Sequence, residues 1–338
     1  MKRCYSEGFS SLEVLLTLFF LSLVIVATSL ILSTVKISVV KKNNELKDKR
    51  RIEKKLAEVI EEIKSDQTPE IDSRIDSVWR LDDIEQDECK IQLKALSGLL
   101  NVNTVSKQIM SLPEIRKLFS DVDAPSVIEN YKSEGNLYSK YEQLNELIEE
   151  ENYNKYFCIY GYANINVADD YGLRNLVNNI TLSNSGEYLV QKRKTLLVNK
   201  QFIQTENNFK MFAGVDYDSF IPYVNIKPEM NIHFIEEDVL RALLSYPGFK
   251  ITGINQKINN ILSLRESSEI SQNEICNILG ISKSNELYYY LGCTTWMWQI
   301  KITGKKNKCT VILCRKPEED EFSVKTPEYY VIEKKWYE

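Results

Sequence analysis

The chain has 338 residues, which is enough for two domains or for one domain with a large insertion. With 43% hydrophobic and 27% charged residues it has the composition of a folded protein, and a largely disordered chain is excluded. The net charge of −5 argues against a protein that binds nucleic acid through a basic face, so we expect no nucleic acid among its partners.

The amino-terminal end contains a predicted membrane helix. A short basic leader, residues 1–8, precedes an apolar run from Phe9 to Leu32 in which Glu13 is the one charged side chain. At a rise of 1.5 Å per residue, a helix over 9–34 is long enough to cross a bilayer. A secretory signal peptide would have a shorter apolar core followed by a small-residue cleavage site, whereas here the break lies before the helix.

The residues at this break resemble a known processing motif. The segment Gly8-Phe9-Ser-Ser-Leu-Glu13 resembles the type IV prepilin motif, which a dedicated prepilin peptidase cleaves after the glycine. The resemblance implies that Gly8 and Phe9 flank the cut, that Phe9 is then N-methylated, and that Glu13 is the fifth mature residue. Glycine suits a narrow peptidase site. A carboxylate in hydrocarbon is costly unless paired, and a neighbouring subunit's terminal amine is its natural partner, so we assign Glu13 to fibre assembly.

The charges around the helix leave its orientation ambiguous. Lys36, Lys41 and Lys42 follow the apolar segment and outnumber Lys2 and Arg3 before it. An ordinary signal anchor is the alternative interpretation of this region. The prepilin motif decides between them, and it places the carboxyl-terminal mass outside the cytoplasm.

Beyond the membrane, the sequence predicts a longer helix and then strands. Apolar residues recur at helical spacing in 35–66, so we expect one helix of roughly 50 residues whose second half packs on a sheet. A coiled-coil stalk is the alternative, but no sustained heptad is visible. Within 67–103, the segments Ser77–Leu81 and Cys89–Lys94 alternate in period two and are predicted strands.

The predicted sheet is interrupted and then resumed. From about 104 to 290 the periodicity is mostly helical, and period two returns in 291–338 at Trp296–Thr303, Cys309–Cys314 and Tyr329–Trp336. We therefore predict an α+β fold, in which a long amino-terminal helix packs on an antiparallel sheet that carries a large all-α insertion.

The insertion contains a weak internal repeat near 99–150, 163–212 and 228–290. Each copy begins with a short polar step and later carries a basic residue at a helix end. The steps are Asn101/Asn103, Asn164/Asn166 and Asn231/His233, and the basic residues are Lys132, Arg193 and Arg265. Because asparagine caps turns and starts helices, we assign a structural role to these residues and to His233.

The order of these parts resembles the minor pseudopilin K family of type II secretion over nearly the whole chain. The resemblance implies helix-hairpin-helix or sterile-alpha-motif-like repeats, a single pass through the bacterial inner membrane and a periplasmic carboxyl-terminal domain. It also implies a tip or initiation subunit of the pseudopilus that helps export folded proteins. Its partners would be the I- and J-type minor pseudopilins and the major pseudopilin. Members of this family often lack the acidic residue that Glu13 supplies here, so a minor pilin of another type IV system is the alternative.

DNA binding by helix-hairpin-helix units, as in competence systems, is a further alternative. Its candidate hairpins are Leu112–Ile115 and Tyr246–Gly253, of which the first lacks glycine. The acidic balance of the chain disfavours contact with phosphates.

No catalytic pattern is present, and we expect no enzyme. There is one histidine, and the sequence has no Walker loop, dinucleotide fingerprint or paired-cysteine metal motif. We expect no cofactor, although the K-family resemblance makes Ca²⁺ an open alternative. Acidic clusters without EF-hand spacing occur at Asp82–Glu88, Asp121/Asp123, Asp169/Asp170 and Glu318–Glu321. Six of the seven cysteines lie beyond the leader, a number that permits disulfides without requiring them.

Overall fold

The computed structural model describes residues 5–66, 68–199, 201–214, 217–220, 223–316 and 328–337. The acidic cluster Glu318–Glu321 lies outside this part of the chain. One helix, α1 (Tyr5–Lys64), begins in the leader and runs without interruption into the head. Its second half presents Ile52, Leu56, Val59 and Ile63 to the sheet at spacings of four, three and four, as the sequence predicts.

The sheet has five antiparallel strands, in the order β1 (Glu85–Gln86), β2 (Cys89–Ala95), β9 (Met297–Thr303), β10 (Lys308–Arg315) and β11 (Tyr329–Tyr337). In β2 the side chains alternate strictly between a buried inner face and a more exposed outer face, which is why its period-two pattern was recognisable. A tight turn joins β9 to β10, and the Gly304 amide donates to the Asn307 carbonyl at 2.8 Å.

The predicted strand at Ser77–Leu81 is wrong, because this segment forms a short 3₁₀ helix. Val78 packs into the core between α1 and the sheet, and the ring of Trp79 lies 4.6 Å from that of Phe234. The Asp82 carboxylate then accepts the Leu93 amide at 2.6 Å. A side chain therefore occupies the edge of β2 that a strand would have taken, and the edge strand is the two-residue β1.

The insertion leaves the sheet after β2 and returns before β9. It has the predicted helices but is not all-α, because three parallel pairs of two-residue strands divide it into units at 100–158, 163–225 and 230–292. The pairs are β3 (Leu100–Asn101) with β4 (Phe157–Cys158), β5 (Ala163–Asn164) with β6 (Val224–Asn225), and β7 (Met230–Asn231) with β8 (Leu291–Gly292). Each unit thus opens and closes on one ladder, and such short ladders leave no period-two pattern in the sequence.

The helices of the three units fill these loops. The first unit contains α2 (Lys107–Met110), α3 (Pro113–Arg116), α4 (Ala124–Ser133) and α5 (Glu150–Tyr156). The second contains α6 (Asp170–Thr181), α7 (Ser185–Val198), α8 (Glu206–Ala213) and α9 (Tyr217–Phe220). The third contains α10 (Glu237–Ser245), α11 (Ile254–Arg265), α12 (Gln272–Leu279) and α13 (Leu287–Tyr290). The first and third units share one apolar core, whereas the second unit has a core of its own.

Candidate functional site

The first half of α1 is an apolar surface without a partner in this chain. From Leu12 to Val40 its large apolar side chains are 48% to 69% exposed, the extremes being Leu16 and Leu15. By length and composition this helix can cross a membrane. Five hydroxyl groups in the segment bond back to carbonyls three or four residues earlier, so they are satisfied within the helix in a lipid environment. They belong to Thr17, Ser22, Thr28, Ser33 and Thr34.

The predicted processing and assembly residues all lie at the start of this surface. Gly8 and Phe9 are in the first turns of α1, and Glu13 follows one turn later with its side chain exposed. No cation among the described side chains lies within salt-bridge distance of the Glu13 carboxylate. Cleavage after Gly8, methylation of Phe9 and the assembly role of Glu13 therefore stay predictions.

Asp48 marks the point where α1 leaves the head. Its buried carboxylate accepts the backbone amides of Lys305, Lys306 and Asn307 at 3.1, 3.0 and 2.9 Å, and also the Asn307 side-chain amide at 3.0 Å. Burial raises the pKa of Asp48, but these hydrogen bonds outweigh it and hold the pKa below its ordinary value. One carboxylate thus fixes the helix to the β9–β10 turn.

At the opposite end of the sheet, Asp72 and Arg315 join the helix, the sheet and the insertion. The two side chains are buried and form a two-point ion pair with distances of 2.8 and 2.9 Å. Asp72 also accepts the Thr295 amide at 2.6 Å, and its backbone carbonyl accepts the Asn231 side-chain amide at 2.8 Å. Burial raises the pKa of Asp72 to about 6, while Arg315 acts in the opposite direction.

The repeated asparagines hold a turn that is the same in all three units. The side-chain oxygen of the first asparagine accepts the backbone amide two residues later, at 2.7 to 3.0 Å. The acceptors are Asn101, Asn164 and Asn231. The second polar residue then accepts a backbone amide from a distant part of its unit. The Asn103 side chain accepts the Tyr138 amide and the Asn166 side chain the Ile203 amide, both at 2.8 Å. His233 accepts the Ile270 amide at 3.0 Å.

The repeated cations bind the same turn through its backbone. In each unit the basic residue donates to the carbonyl four residues after the first asparagine, at 2.6 to 2.9 Å. The pairs are Lys132 with Val105, Arg193 with Ala168, and Arg265 with Ile235. The spacing of these residues was visible in the sequence, but the carbonyl each one binds was not.

In the part of the chain that the structure describes, five of the nine carboxylates in the candidate calcium clusters pair with cations, among them Asp170 with Arg193 and Lys194. Asp83 pairs with Lys90, Asp87 with Lys55, Glu88 with Arg51, and Asp169 with Lys132. A different group, Asp66, Asp72 and Asp76, brings carboxylate oxygens within 4.8 Å of one another. Asp72 in that group is bound to Arg315, and Asp76 accepts the Ser73 amide and hydroxyl at 2.7 and 2.6 Å. We assign no metal to it.

The cysteines and the two candidate DNA-binding hairpins are placed inside the head. The six described cysteines form no disulfide with one another; five are buried and Cys276 is half-buried. The hairpin candidates Leu112–Ile115 and Tyr246–Gly253 turn Ile115 and Phe249 into the core shared by the first and third units.

These features define a head carried on one long helix whose first half is built to contact lipid or other helices. No protein-family model matches the sequence. No curated protein matches it either. Among solved structures, the chain is similar to one in the GspK-GspI-GspJ complex of the type 2 secretion system of enterotoxigenic Escherichia coli. The match covers 88% of this chain and 99% of that chain, with 9% sequence identity and a TM-score of 0.34. Because likeness at this level does not establish a shared fold, the functional argument rests on the geometry of this chain.

Proposed function

We propose that the chain is a minor pseudopilin, most like the K component of type II secretion. In this role it is cut after Gly8 by the prepilin peptidase and anchored by α1 in the bacterial inner membrane, with its head in the periplasm. The observation that carries the proposal is the division of α1. Residues 12–40 expose their apolar side chains, whereas the helix from Ile52 to Ile63 is built into the head. A helix of this kind can exchange lipid for the helices of neighbouring subunits, which is what a pilin-like fibre requires.

The position of the insertion supports a place at the upper end of such a fibre. The apolar half of α1 leaves the sheet beside the Gly304–Asn307 turn, where Asp48 binds. The insertion joins the sheet at the other end, after Ala95 and before Met297. The bulk of the head therefore lies away from the membrane segment, where it would obstruct a further subunit stacked above. The presence of Glu13 instead favours a subunit that has neighbours both above and below it in the fibre. Placement at the tip is therefore a proposal that rests on the position of the insertion.

The partners follow from this placement. We propose that the apolar half of α1 packs with the corresponding helices of the I- and J-type minor pseudopilins and of the major pseudopilin. The Glu13 carboxylate would then neutralise a neighbouring subunit's terminal amine. In this proposal the three units contribute surface for protein contact.

The test is isolation of the full-length, tagged chain from cross-linked membranes of its own host, followed by mass spectrometry of what accompanies it. We expect smaller pilin-like proteins with the same leader motif. Gly8→Val should abolish their recovery because the leader stays attached. Glu53→Gln changes an exposed carboxylate farther along the same helix, and it should leave the recovery of these proteins unchanged. Recovery of the chain without any pilin-like protein would contradict the proposal.

A further inference from the structure

A belt of positive charge surrounds α1 where it leaves the head. We call it the collar, and it consists of Lys36, Lys42, Lys47, Lys49 and Arg50 on the helix and Lys306 on the β9–β10 turn. None of these six cations has a carboxylate within salt-bridge distance in the part of the chain that the structure describes. This surplus stands out because the whole chain is acidic, with a net charge of −5.

The carboxylates near the collar are occupied elsewhere. Asp48 accepts the amides of the β9–β10 turn. Glu53 pairs with Lys334 at 3.4 Å. Glu88 binds Arg51 at 2.5 Å and also contacts Lys305. These acidic groups therefore have partners outside the collar, as does Glu45, which pairs with Lys41 at 4.0 Å, and the unpaired charge in this stretch is positive.

The five collar residues on the helix cover about half of its circumference. At 100° per residue, Lys36, Lys47 and Arg50 lie within about 60° of one another, and Lys42 and Lys49 lie about 80° to 100° further round. Asp48, to which the turn with Lys306 docks, points to the opposite side of the axis. The exposed apolar segment ends at Val40, so the collar begins where that segment stops, and Lys36 is within reach of the boundary by extending its side chain. Lys306 adds a charge from the sheet on the side where the turn docks onto α1.

We propose that the collar binds the phosphate groups of anionic lipids at the surface of the membrane from which α1 emerges. This inference rests on the proposed function, since it requires residues 12–40 to lie in a bilayer. Lysine ammonium groups bind lipid phosphates as point charges, each contributing about a fivefold gain in affinity. A protein partner would contact one side of the helix, whereas a membrane surface would meet both the arc of helix cations and Lys306 on the opposite side. The collar therefore holds the head against the bilayer until the helix is drawn into a fibre.

The experiment uses the full-length protein in vesicles of phosphatidylcholine, either alone or mixed with phosphatidylglycerol. A membrane-impermeant acetylating reagent modifies exposed lysines, and mass spectrometry measures the rate at each position. We expect Lys42, Lys47 and Lys306 to react about fivefold more slowly in the anionic vesicles. Their rates should recover at high salt, because salt screens exposed charges. Lys194 and Lys210, exposed in the second unit, are internal controls and should react equally in both vesicles.

A variant separates lipid binding from general shielding. Replacing Lys42, Lys47 and Lys306 together by glutamine should make the two remaining collar lysines, Lys36 and Lys49, react at the same rate in both vesicles. The matched replacement of Lys117, Lys194 and Lys210 should leave the protection of Lys49 unchanged.

Three results would overturn the inference. Equal acetylation of the collar in both vesicles, with the protein retained after alkaline carbonate extraction, would overturn lipid binding and leave the proposed function standing. Protection in intact cells but not in anionic vesicles would assign the collar to a protein. Release of the chain by carbonate would overturn both the collar and the membrane placement of α1.

Discussion

The sheet side of the head and the insertion have different kinds of interior. Between α1 and the sheet, Ile52 and Val59 pack against Trp298 and Ile300 in an apolar core. The interior of the insertion also contains buried polar and charged groups that bind backbone carbonyls and amides, including Lys132, Arg193, Arg265, Asn103, Asn166 and His233. Apolar packing is insensitive to pH, whereas a buried polar group is stabilising only while its partners and its protonation state are kept. The two regions should therefore respond differently to substitution and to acid.

The junction between the two regions should be the most sensitive point. Asp72→Ala would leave Arg315 buried without its carboxylate and would also remove the acceptor of the Thr295 amide. Loss of one member of a buried ion pair costs about 4 to 5 kcal/mol, so we expect unfolding of both regions together. The measurement is urea unfolding of the full-length protein in mild detergent, followed by tryptophan fluorescence.

Asp66→Ala is the control for this change. Its carboxylate accepts the nearby Thr68 amide at 2.9 Å and has no buried cation, so the loss should be less than about 1 kcal/mol. If Asp72→Ala were as mild as Asp66→Ala, the junction would not couple the two regions.

The next largest effect is expected for a buried cation of the insertion. Lys132→Met leaves the Val105 carbonyl and the Asp169 carboxylate without their shared donor, which lies 2.9 and 3.0 Å from them. We expect a loss of about 3 to 4 kcal/mol in the free energy of unfolding. Hydrogen exchange should place this loss in the first and second units and spare α1 and β9. Lys117→Met, at an exposed position, should change little; equal effects of the two variants would contradict the role of the buried cation.

Acid sensitivity should distinguish the regions through His233. Burial lowers the pKa of His233 to about 4. In the folded state the neutral ring accepts the Ile270 amide at 3.0 Å. The unfolded chain binds this proton near pH 6.5, so the stabilisation is complete above that pH and is lost as the pH falls towards 4. We expect this one residue to account for about 2 to 3 kcal/mol of lost stability over that range.

His233→Asn gives the third unit the residue that Asn103 and Asn166 supply in the other two. Stability measured by urea unfolding at several pH values should become less dependent on pH between 6.5 and 4, with little change at pH 7. An unchanged pH dependence would show that His233 is not the group responsible.

The smallest effect is expected in the apolar core. Ile52→Val removes one methyl group from the contact between α1 and the sheet and should cost about 1 kcal/mol. Because no titrating group is involved, the loss should be the same at pH 7 and at pH 5 in urea unfolding. A pH-dependent loss would mean that the two interiors are not as distinct as the structure indicates.

The same contrast explains how much the sequence could predict. The helix α1 and the strands β2 and β9 follow from apolar periodicity, because each buries one regular face. The strands β10 and β11 were predicted from the same pattern, although the second half of β10 is buried on both faces and β11 is only partly buried. Ser77–Leu81 has the same periodicity but is a 3₁₀ helix, because the Asp82 side chain occupies the strand edge beside it. That competition depends on a residue distant in the chain, at Leu93, and local patterns do not show it.

The insertion was predictable in its parts but not in its connections. The asparagine steps and the three basic residues could be aligned as repeats, yet their carbonyl partners lie about 25 to 30 positions away. The two-residue parallel ladders are too short to give a pattern. Asp48 was missed for a similar reason, since it binds a turn more than 250 residues later.

The most direct test of the central claim is the mass of the mature amino terminus. The full-length chain would be purified from membranes of its own host and analysed by intact-protein and peptide mass spectrometry. The account predicts a chain that begins at N-methylated Phe9, with residues 1–8 removed. A chain that retains Met1, or that is cut anywhere other than after Gly8, would contradict the proposal that this protein is a processed subunit of a pilin-like fibre.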